Sequence, residues 1–169
     1  MIHLVTGGAR SGKSRFAQEA AESLDGSLQF VATAEPLDAD MAERVARHRA
    51  DRGPRWSTVE APLELEAAVR GLPPSSGVVV DCLTLWCANL LFAGLDEAAI
   101  MARGEGLNTA LASLGRPVWV VTNEVGLGIV PDNALSRRYR DALGRLNQTV
   151  ARASERVSFL VSGIPMAVR

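Results

Sequence analysis

The sequence predicts an α/β fold in which one mainly parallel sheet is flanked by helices on both faces. Short apolar segments alternate along the chain with segments whose apolar residues recur at helical spacing. The apolar segments show no alternation of polar and apolar residues, as expected of parallel strands that are covered on both faces. The chain has 169 residues, which is enough for one domain with a sizeable core.

The order of the predicted elements implies right-handed crossovers between parallel strands. Five predicted strands are rich in Val, Leu, Ile or Phe: Ile2–Thr6, Leu28–Thr33, Val78–Cys82, Val118–Thr122 and Val157–Ser162. The segment Trp56–Val59 is a candidate for one more short strand. The predicted helices cover Lys13–Leu24, Ala39–Arg52, Leu63–Val69, Thr84–Phe92, Glu97–Leu114 and Asn133–Ser154.

Composition and charge exclude several classes of function. The net charge is -1, so no strong field attracts the chain to nucleic acid or to an anionic membrane. Cys82 and Cys87 do not have the spacing of metal ligands and are expected in the core of a protein from a reducing cytosol. The sequence shows neither a signal peptide nor an apolar segment of transmembrane length, so we expect a cytoplasmic protein that does not insert into membranes.

The first predicted strand leads into the pattern Gly-x-x-x-x-Gly-Lys-Ser, the phosphate-binding P-loop. Gly7 and Gly12 allow a tight turn in which successive N–H groups point at phosphate oxygens. Lys13 can reach the terminal phosphates, and the Ser14 hydroxyl can bind Mg²⁺. The alternative is a glycine-rich turn with an ordinary surface lysine, which the strand–loop–helix context disfavours. The predicted nucleotide-binding residues here are Gly7, Gly8, Ala9, Arg10, Ser11, Gly12, Lys13 and Ser14.

A second phosphate-related signal is the apolar strand that ends in Asp81. This is the Walker B pattern, in which the carboxylate holds Mg²⁺, directly or through water, opposite Ser14. Many strands end in aspartate without such a role, but a P-loop upstream favours the functional interpretation. The two signals predict a single P-loop NTPase domain of the RecA-like type over residues 1–169.

A polar segment with two glycines, Thr122–Pro131, follows another predicted strand. Ligands of open α/β sheets bind beyond the carboxyl ends of the strands, so this segment is a candidate for a shaped loop over the nucleotide. A turn whose side chains merely cap its own backbone fits the pattern equally well. The pattern alone leaves both interpretations open.

The predicted helix over Ala39–Arg52 carries one of the two histidines, His48. Arg44 and Arg52 lie four residues to either side and so share its helix face. A solvated basic helix face is the usual meaning of such a pattern, and the pattern alone favours it. The alternative is a phosphate-binding cradle around a nucleophilic imidazole. The other histidine, His3, lies in the first strand and is interpreted as structural.

Taken together, these segments resemble the bifunctional adenosylcobinamide kinase and adenosylcobinamide-phosphate guanylyltransferase family of cobalamin biosynthesis. The matching blocks occur in order along nearly the whole chain: Thr6–Arg15, Ala32–Ala34, Met41–Val45 leading to His48, Asp81–Trp86, Asn89–Leu91, Val121–Pro131, Arg145–Gln148 and Ser162–Pro165. The Thr122–Pro131 loop is the most specific of them, because unrelated P-loop proteins lack it.

The resemblance implies two activities on one fold. The first transfers the γ-phosphoryl group of ATP or GTP to a hydroxyl of adenosylcobinamide. The second transfers GMP from GTP to the resulting phosphate through a guanylylated histidine, which the resemblance places at His48. The P-loop residues carry over directly, whereas some family members have glutamate in place of Asp81. The resemblance also implies a homotrimer with sites near the subunit boundaries.

Three other classes of function are alternatives to the bifunctional enzyme. A regulatory GTPase switch requires an Asn-Lys-x-Asp motif, which the sequence lacks. A motor acting on nucleic acid requires a basic groove, which the near-zero net charge disfavours. The strongest rival is a small-molecule kinase without transferase activity, since it needs the P-loop and Asp81 but not His48.

Overall fold

The structure, a computed structural model, describes residues 1–35 and 52–169. Arg44 and His48 lie outside these residues, as does the predicted helix over Ala39–Arg52 except for its last residue. Arg52 lies in a bend rather than a helix. Arg52 is followed by Gly53 and Pro54, the two residue types with the lowest helix propensity.

The described elements match the predicted ones to within two residues at each end. The strands are β1 (Ile2–Gly7), β2 (Leu28–Ala32), β3 (Trp56–Glu60), β4 (Gly77–Asp81), β5 (Val118–Val121), β6 (Arg156–Val161) and β7 (Ile164–Ala167). The helices are α1 (Lys13–Glu22), α2 (Leu65–Arg70), α3 (Leu83–Phe92), α4 (Glu97–Ser113) and α5 (Ala134–Ala153). The candidate strand at Trp56 is therefore confirmed, and β7 is an addition that was not predicted.

The described strands form one seven-stranded sheet in the order β3-β2-β4-β5-β1-β6-β7. All neighbours are parallel except β6 and β7, which confirms the predicted α/β class. Val121 of β5 lies beside Val5 of β1 on one side and beside Asp81 of β4 on the other. One strand therefore separates the P-loop strand from the strand that ends in the candidate metal-binding carboxylate.

The β6–β7 hairpin turns at Ser162 and Gly163, whose φ angles are 50° and 84°. Positive φ at both central residues is typical of the two-residue turns that match the twist of antiparallel strands. The strand β7 was missed because it is short, fully exposed and interrupted by Pro165. It forms one edge of the sheet, where a proline is tolerated.

Two apolar cores hold the sheet. The larger packs β1, β2, β4, β5 and β6 against α2–α5 and includes Leu65, Trp86, Leu107 and Leu146. The smaller lies between the sheet and α1 and includes Ala17. Because both faces are covered, the ends of the central strands are firmly positioned. The described residues contain no helix whose length and apolar character suit a membrane crossing.

Candidate active site

The loop between β1 and α1 has a backbone shape that requires glycine. Gly7 has a φ of 151°, and a Cβ there would lie 2.6 Å from the carbonyl oxygen of Leu160. Gly12 has a φ of 94° and caps the start of α1. The Ser11 carbonyl accepts a hydrogen bond from Gly163 N at 2.9 Å, which ties the loop to the β6–β7 turn. The path of the loop is therefore fixed by its own glycine conformations and by the hydrogen bond from the β6–β7 turn.

Lys13, the only lysine of the chain, is held inside this loop. Only 7% of the surface of Lys13 is exposed, and Nζ donates a hydrogen bond to Gly8 O at 2.6 Å. Burial lowers the pKa of Lys13, and the negative charge of Asp81 acts in the opposite direction. A cation in such a partly desolvated position interacts more strongly with a phosphate than a solvated lysine does.

The end of β4 brings a carboxylate into the electrostatic environment of Lys13. Asp81 is half-buried, and Ser14, in the first turn of α1, is half-buried as well. The next residue, Cys82, has its pKa raised to about 12 by burial and by the charge of Asp81, so its thiol stays neutral near pH 7. Cys82 N also donates to Thr33 Oγ1 at 2.8 Å, which joins the ends of β4 and β2.

The Thr122–Pro131 loop is anchored at Asn123 by side chains from two helices. Thr84 Oγ1, on α3, accepts a hydrogen bond from Asn123 N at 2.7 Å. Asn147 Nδ2, on α5, donates to Asn123 O at 3.0 Å. Asn147 Oδ1 in turn accepts from Thr122 Oγ1 at 2.7 Å, and Asn147 is buried. We call the side chains of Thr84 and Asn147 the Asn123 clamp.

The same loop is joined to the P-loop by its backbone. Glu124 N donates a hydrogen bond to Gly7 O at 3.1 Å. Glu124 Oε1 accepts a hydrogen bond from Gly126 N at 3.1 Å. A side chain of the loop therefore also caps the loop's own backbone, in addition to the Asn123 clamp. The tip of the loop exposes Leu127 and Ile129 to solvent. The structure thus brings the two loops together at the carboxyl edge of the sheet.

Arg52 lies at a different place. Its guanidinium stacks on the ring of Phe30, 3.8 Å from the ring centroid, and Nη2 donates to Thr58 Oγ1 at 3.2 Å. Phe30 and Thr58 are paired mid-strand residues of β2 and β3. The strands β4 and β5 separate this edge of the sheet from β1, so the described residues do not bring Arg52 to the P-loop. Its role in binding phosphate stays a prediction, as do those of Arg44 and His48.

A comparison with protein families decides where the chain belongs. A family model described as cobinamide kinase / cobinamide phosphate guanyltransferase matches residues 3–168. The chain belongs to this family.

Named relatives of the cobinamide kinase / guanyltransferase family match over the full length of the chain. The bifunctional adenosylcobalamin biosynthesis protein CobP of Pseudomonas aeruginosa is 43% identical over 170 residues, covering 100% of this chain and 98% of the relative. The bifunctional adenosylcobalamin biosynthesis proteins CobU of Escherichia coli and Salmonella typhimurium are each 39% identical, with 100% of both chains covered.

Among solved structures, the chain is similar to a KaiC-like protein, PH0186, from Pyrococcus horikoshii OT3. The TM-score is 0.56 at 17% identity, covering 94% of this chain and 69% of that one. At this identity the similarity concerns the fold alone, and it agrees with the predicted α/β class.

Three polar residues lie in the blocks that resemble the family but had no role assigned from the sequence. The side chains of Thr33, Thr84 and Asn147 hold the ends of β2, β4 and β5. For Asn147 the sequence did contain a signal of a buried polar contact. Asn147 lies four residues after the buried Leu143, on the side of α5 that packs into the core. Among the described residues there is no group of three or more His, Cys, Asp or Glu side chains that could hold a metal ion.

Proposed function

We propose that this chain catalyses two successive transfers in the assembly of cobalamin. ATP or GTP phosphorylates a hydroxyl of adenosylcobinamide, and GMP from a second nucleotide, GTP, is then transferred to the new phosphate. The observation that carries the proposal is a P-loop with a buried Lys13 facing the charge of Asp81, in a member of a family whose description names both reactions. The products are adenosylcobinamide-GDP and pyrophosphate.

In the first transfer the P-loop orients the donor. Its backbone N–H groups and the N-terminus of α1 favour the negative charge of the phosphates. Lys13 neutralises charge on the terminal phosphate as the bond to it breaks, and its partial burial strengthens this effect. The fixed path of the loop, tied to Gly163 and Glu124, holds these donors in place. This preorganisation is the main contribution of the protein to phosphoryl transfer.

Ser14 and Asp81 fit the oxygen ligands that Mg²⁺ prefers, one a hydroxyl at the start of α1 and the other a carboxylate at the end of β4. When bound there, Mg²⁺ supplies positive charge to the phosphate oxygens. Asp81 also limits the loss of proton affinity that burial imposes on Lys13. It therefore serves the lysine as well as the metal.

In the second transfer His48 is the proposed nucleophile. Its ring nitrogen attacks the α-phosphorus of GTP, the N–P bond forms, and pyrophosphate leaves with the electrons of the broken bond. The phosphate of adenosylcobinamide-phosphate then attacks the same phosphorus and releases the imidazole. Arg44 and Arg52 are proposed to hold the phosphates during both steps. Splitting the transfer lets one site handle two bulky substrates in sequence.

The proposal is tested by following the corrinoid product with each nucleotide in turn. With ATP alone, we expect adenosylcobinamide-phosphate to accumulate. Adding GTP should convert it to adenosylcobinamide-GDP with one pyrophosphate released for each product. A reaction that stops at the phosphate in the presence of GTP would instead support the rival, a small-molecule kinase without transferase activity.

We further propose that the chain forms a homotrimer, on the basis of the resemblance described above. Sedimentation equilibrium of the purified protein measures this directly. A monomeric mass at micromolar concentration would contradict it.

A further inference from the structure

The phosphoryl transfer described above needs a base for the proton of the acceptor hydroxyl, and no residue has yet been assigned to that role. When the hydroxyl of the acceptor attacks the γ-phosphorus, its proton must go to a base. A general base within hydrogen-bond reach of the hydroxyl contributes about 10²–10⁴-fold to the rate of such reactions. Lys13 is a hydrogen-bond donor at Gly8 O and does not accept that proton.

Four carboxylates follow or end strands at the carboxyl edge of the described sheet. Glu35 follows β2, Glu60 ends β3, Asp81 ends β4 and Glu124 follows β5. The strand β5 pairs directly with β1, whereas β2 and β3 lie beyond β4. Asp81 is assigned to Mg²⁺. Glu124 is therefore the carboxylate of this set that follows the strand next to β1, the strand that leads into the P-loop.

Two hydrogen bonds place the backbone of Glu124 on the same loop that holds Lys13. Glu124 N donates to Gly7 O at 3.1 Å, and Lys13 Nζ donates to Gly8 O at 2.6 Å. The backbone of Glu124 and the ammonium of Lys13 thus bind the carbonyls of adjacent residues. The residue after β5 that carries this carboxylate is therefore attached directly to the phosphate-binding loop.

The backbone that carries Glu124 is held on two sides. Residue Asn123, immediately before it, is fixed by the clamp of Thr84 and Asn147. The carboxylate is itself held by the hydrogen bond from Gly126 N to Oε1 at 3.1 Å. A carboxylate has lone pairs for further donors, so this contact leaves room for a substrate hydroxyl.

We propose that Glu124 is the catalytic residue that accepts the proton of the adenosylcobinamide hydroxyl during phosphoryl transfer. This rests on the kinase activity proposed above. The hydroxyl oxygen forms a bond to the γ-phosphorus while the bond from that phosphorus to the bridging oxygen breaks. The nucleoside diphosphate leaves with the electron pair, and the hydroxyl proton moves to the Glu124 carboxylate. Solvent then removes the proton before the next turnover.

The test compares Glu124→Gln with the matched control Glu105→Gln, an exposed residue on α4. Glutamine can still accept the hydrogen bond from Gly126 N, but it cannot take a proton. For Glu124→Gln we expect kcat of phosphorylation to fall about 10²–10³-fold. The KM for ATP and the yield of guanylylated protein should stay at wild-type values, since His48 needs no proton removed by Glu124. The control should match wild type throughout.

A second acceptor distinguishes base catalysis from a structural role. Adenosylcobinamide with fluorine beside the hydroxyl-bearing carbon has a more acidic hydroxyl, which depends less on a base. The deficit of Glu124→Gln should shrink with this acceptor. A deficit of equal size with both acceptors, or wild-type kcat in Glu124→Gln, would overturn the role of Glu124 while leaving the kinase intact. Absence of phosphorylation by the wild-type protein would overturn the proposed function itself, and the role of Glu124 with it.

Discussion

The two loops at the carboxyl edge of the sheet are built in different ways. The β1–α1 loop depends on its own backbone, with Gly7 and Gly12 at positive φ and Lys13 folded back on Gly8. The Thr122–Pro131 loop depends on side chains of two helices, which reach it from 39 residues before Asn123 and 24 residues after it. A loop shaped by its backbone has a short sequence motif. A loop held by distant helices leaves only scattered polar residues, so its role emerges from the structure.

Removal of the P-loop lysine should have the largest effect. Lys13→Ala deletes a charge that acts on the transferred phosphate, so kcat of phosphorylation should fall about 100-fold or more. The control Arg70→Ala, an exposed residue on α2, should keep the wild-type rate. Steady-state kinetics with adenosylcobinamide and ATP measure both. Wild-type turnover in Lys13→Ala would remove the basis for assigning the site.

A methyl group at Gly7 tests whether the conformation of the β1–α1 loop depends on its own backbone. The new Cβ would lie 2.6 Å from Leu160 O at a φ of 151°, so Gly7→Ala should lower the free energy of unfolding by about 1–3 kcal/mol and weaken nucleotide binding. Gly8→Ala is the matched control, because a Cβ there meets no atom within 4 Å. Urea unfolding compares the two variants, and equal stability of both would contradict the account of the loop.

Truncation of the clamp tests the other loop. Asn147→Ala leaves the Thr122 hydroxyl and the Asn123 carbonyl without their partner, which should cost about 1–3 kcal/mol of stability and lower the rate of phosphorylation. Asn108 is a useful control, since its Nδ2 donates to Thr149 O at 3.1 Å, away from the loop. Asn108→Ala should lower stability without changing the rate. If both variants lose the same activity, the clamp has no specific effect on the loop.

The smallest expected effect concerns the buried polar pair of His3 and Ser158, whose Nε2 and Oγ atoms are 2.9 Å apart. Burial and the charge of Arg156 lower the pKa of His3 in the folded state. The unfolded chain therefore binds a proton below about pH 6.5 that the folded chain excludes. The contribution of His3 to the free energy of unfolding should be constant above that pH. It should fall as the pH drops toward the lowered pKa. His3→Gln should flatten this fall in urea titrations without affecting either transfer; an unchanged slope would show that His3 is not its source.

Much of the fold could be predicted because its signals are local. The apolar strands, the helical periodicity and the P-loop motif each lie within a short window, and the parallel order follows from crossover rules. The exposed strand β7 has neither an apolar core face nor an uninterrupted pattern, so no local signal marked it. Arg52 was included in a predicted helix but lies in a bend, because the low helix propensity of the following Gly53 and Pro54 was not considered.

The site was predictable only in part, for a related reason. The positions of Gly7–Ser14 and Asp81 follow from motif and strand order. Whether Thr122–Pro131 was a shaped loop or a self-capped turn depended on Thr84 and Asn147, which no spacing rule connects to Asn123. Likewise, the stacking of Arg52 on Phe30 joins residues of different elements. Contacts of this kind are set by tertiary packing.

The most direct test of the account is to locate the guanylyl group on the protein. The chain is treated with GTP, kept under mildly alkaline conditions that preserve an acid-labile P–N bond, digested and analysed by mass spectrometry. We expect one adduct, at His48, which disappears when adenosylcobinamide-phosphate is added, and we expect His48→Ala to lose guanylyl transfer while keeping much of its kinase activity. An adduct at Lys13, the only lysine of the chain, or full transferase activity in His48→Ala would contradict the two-step mechanism.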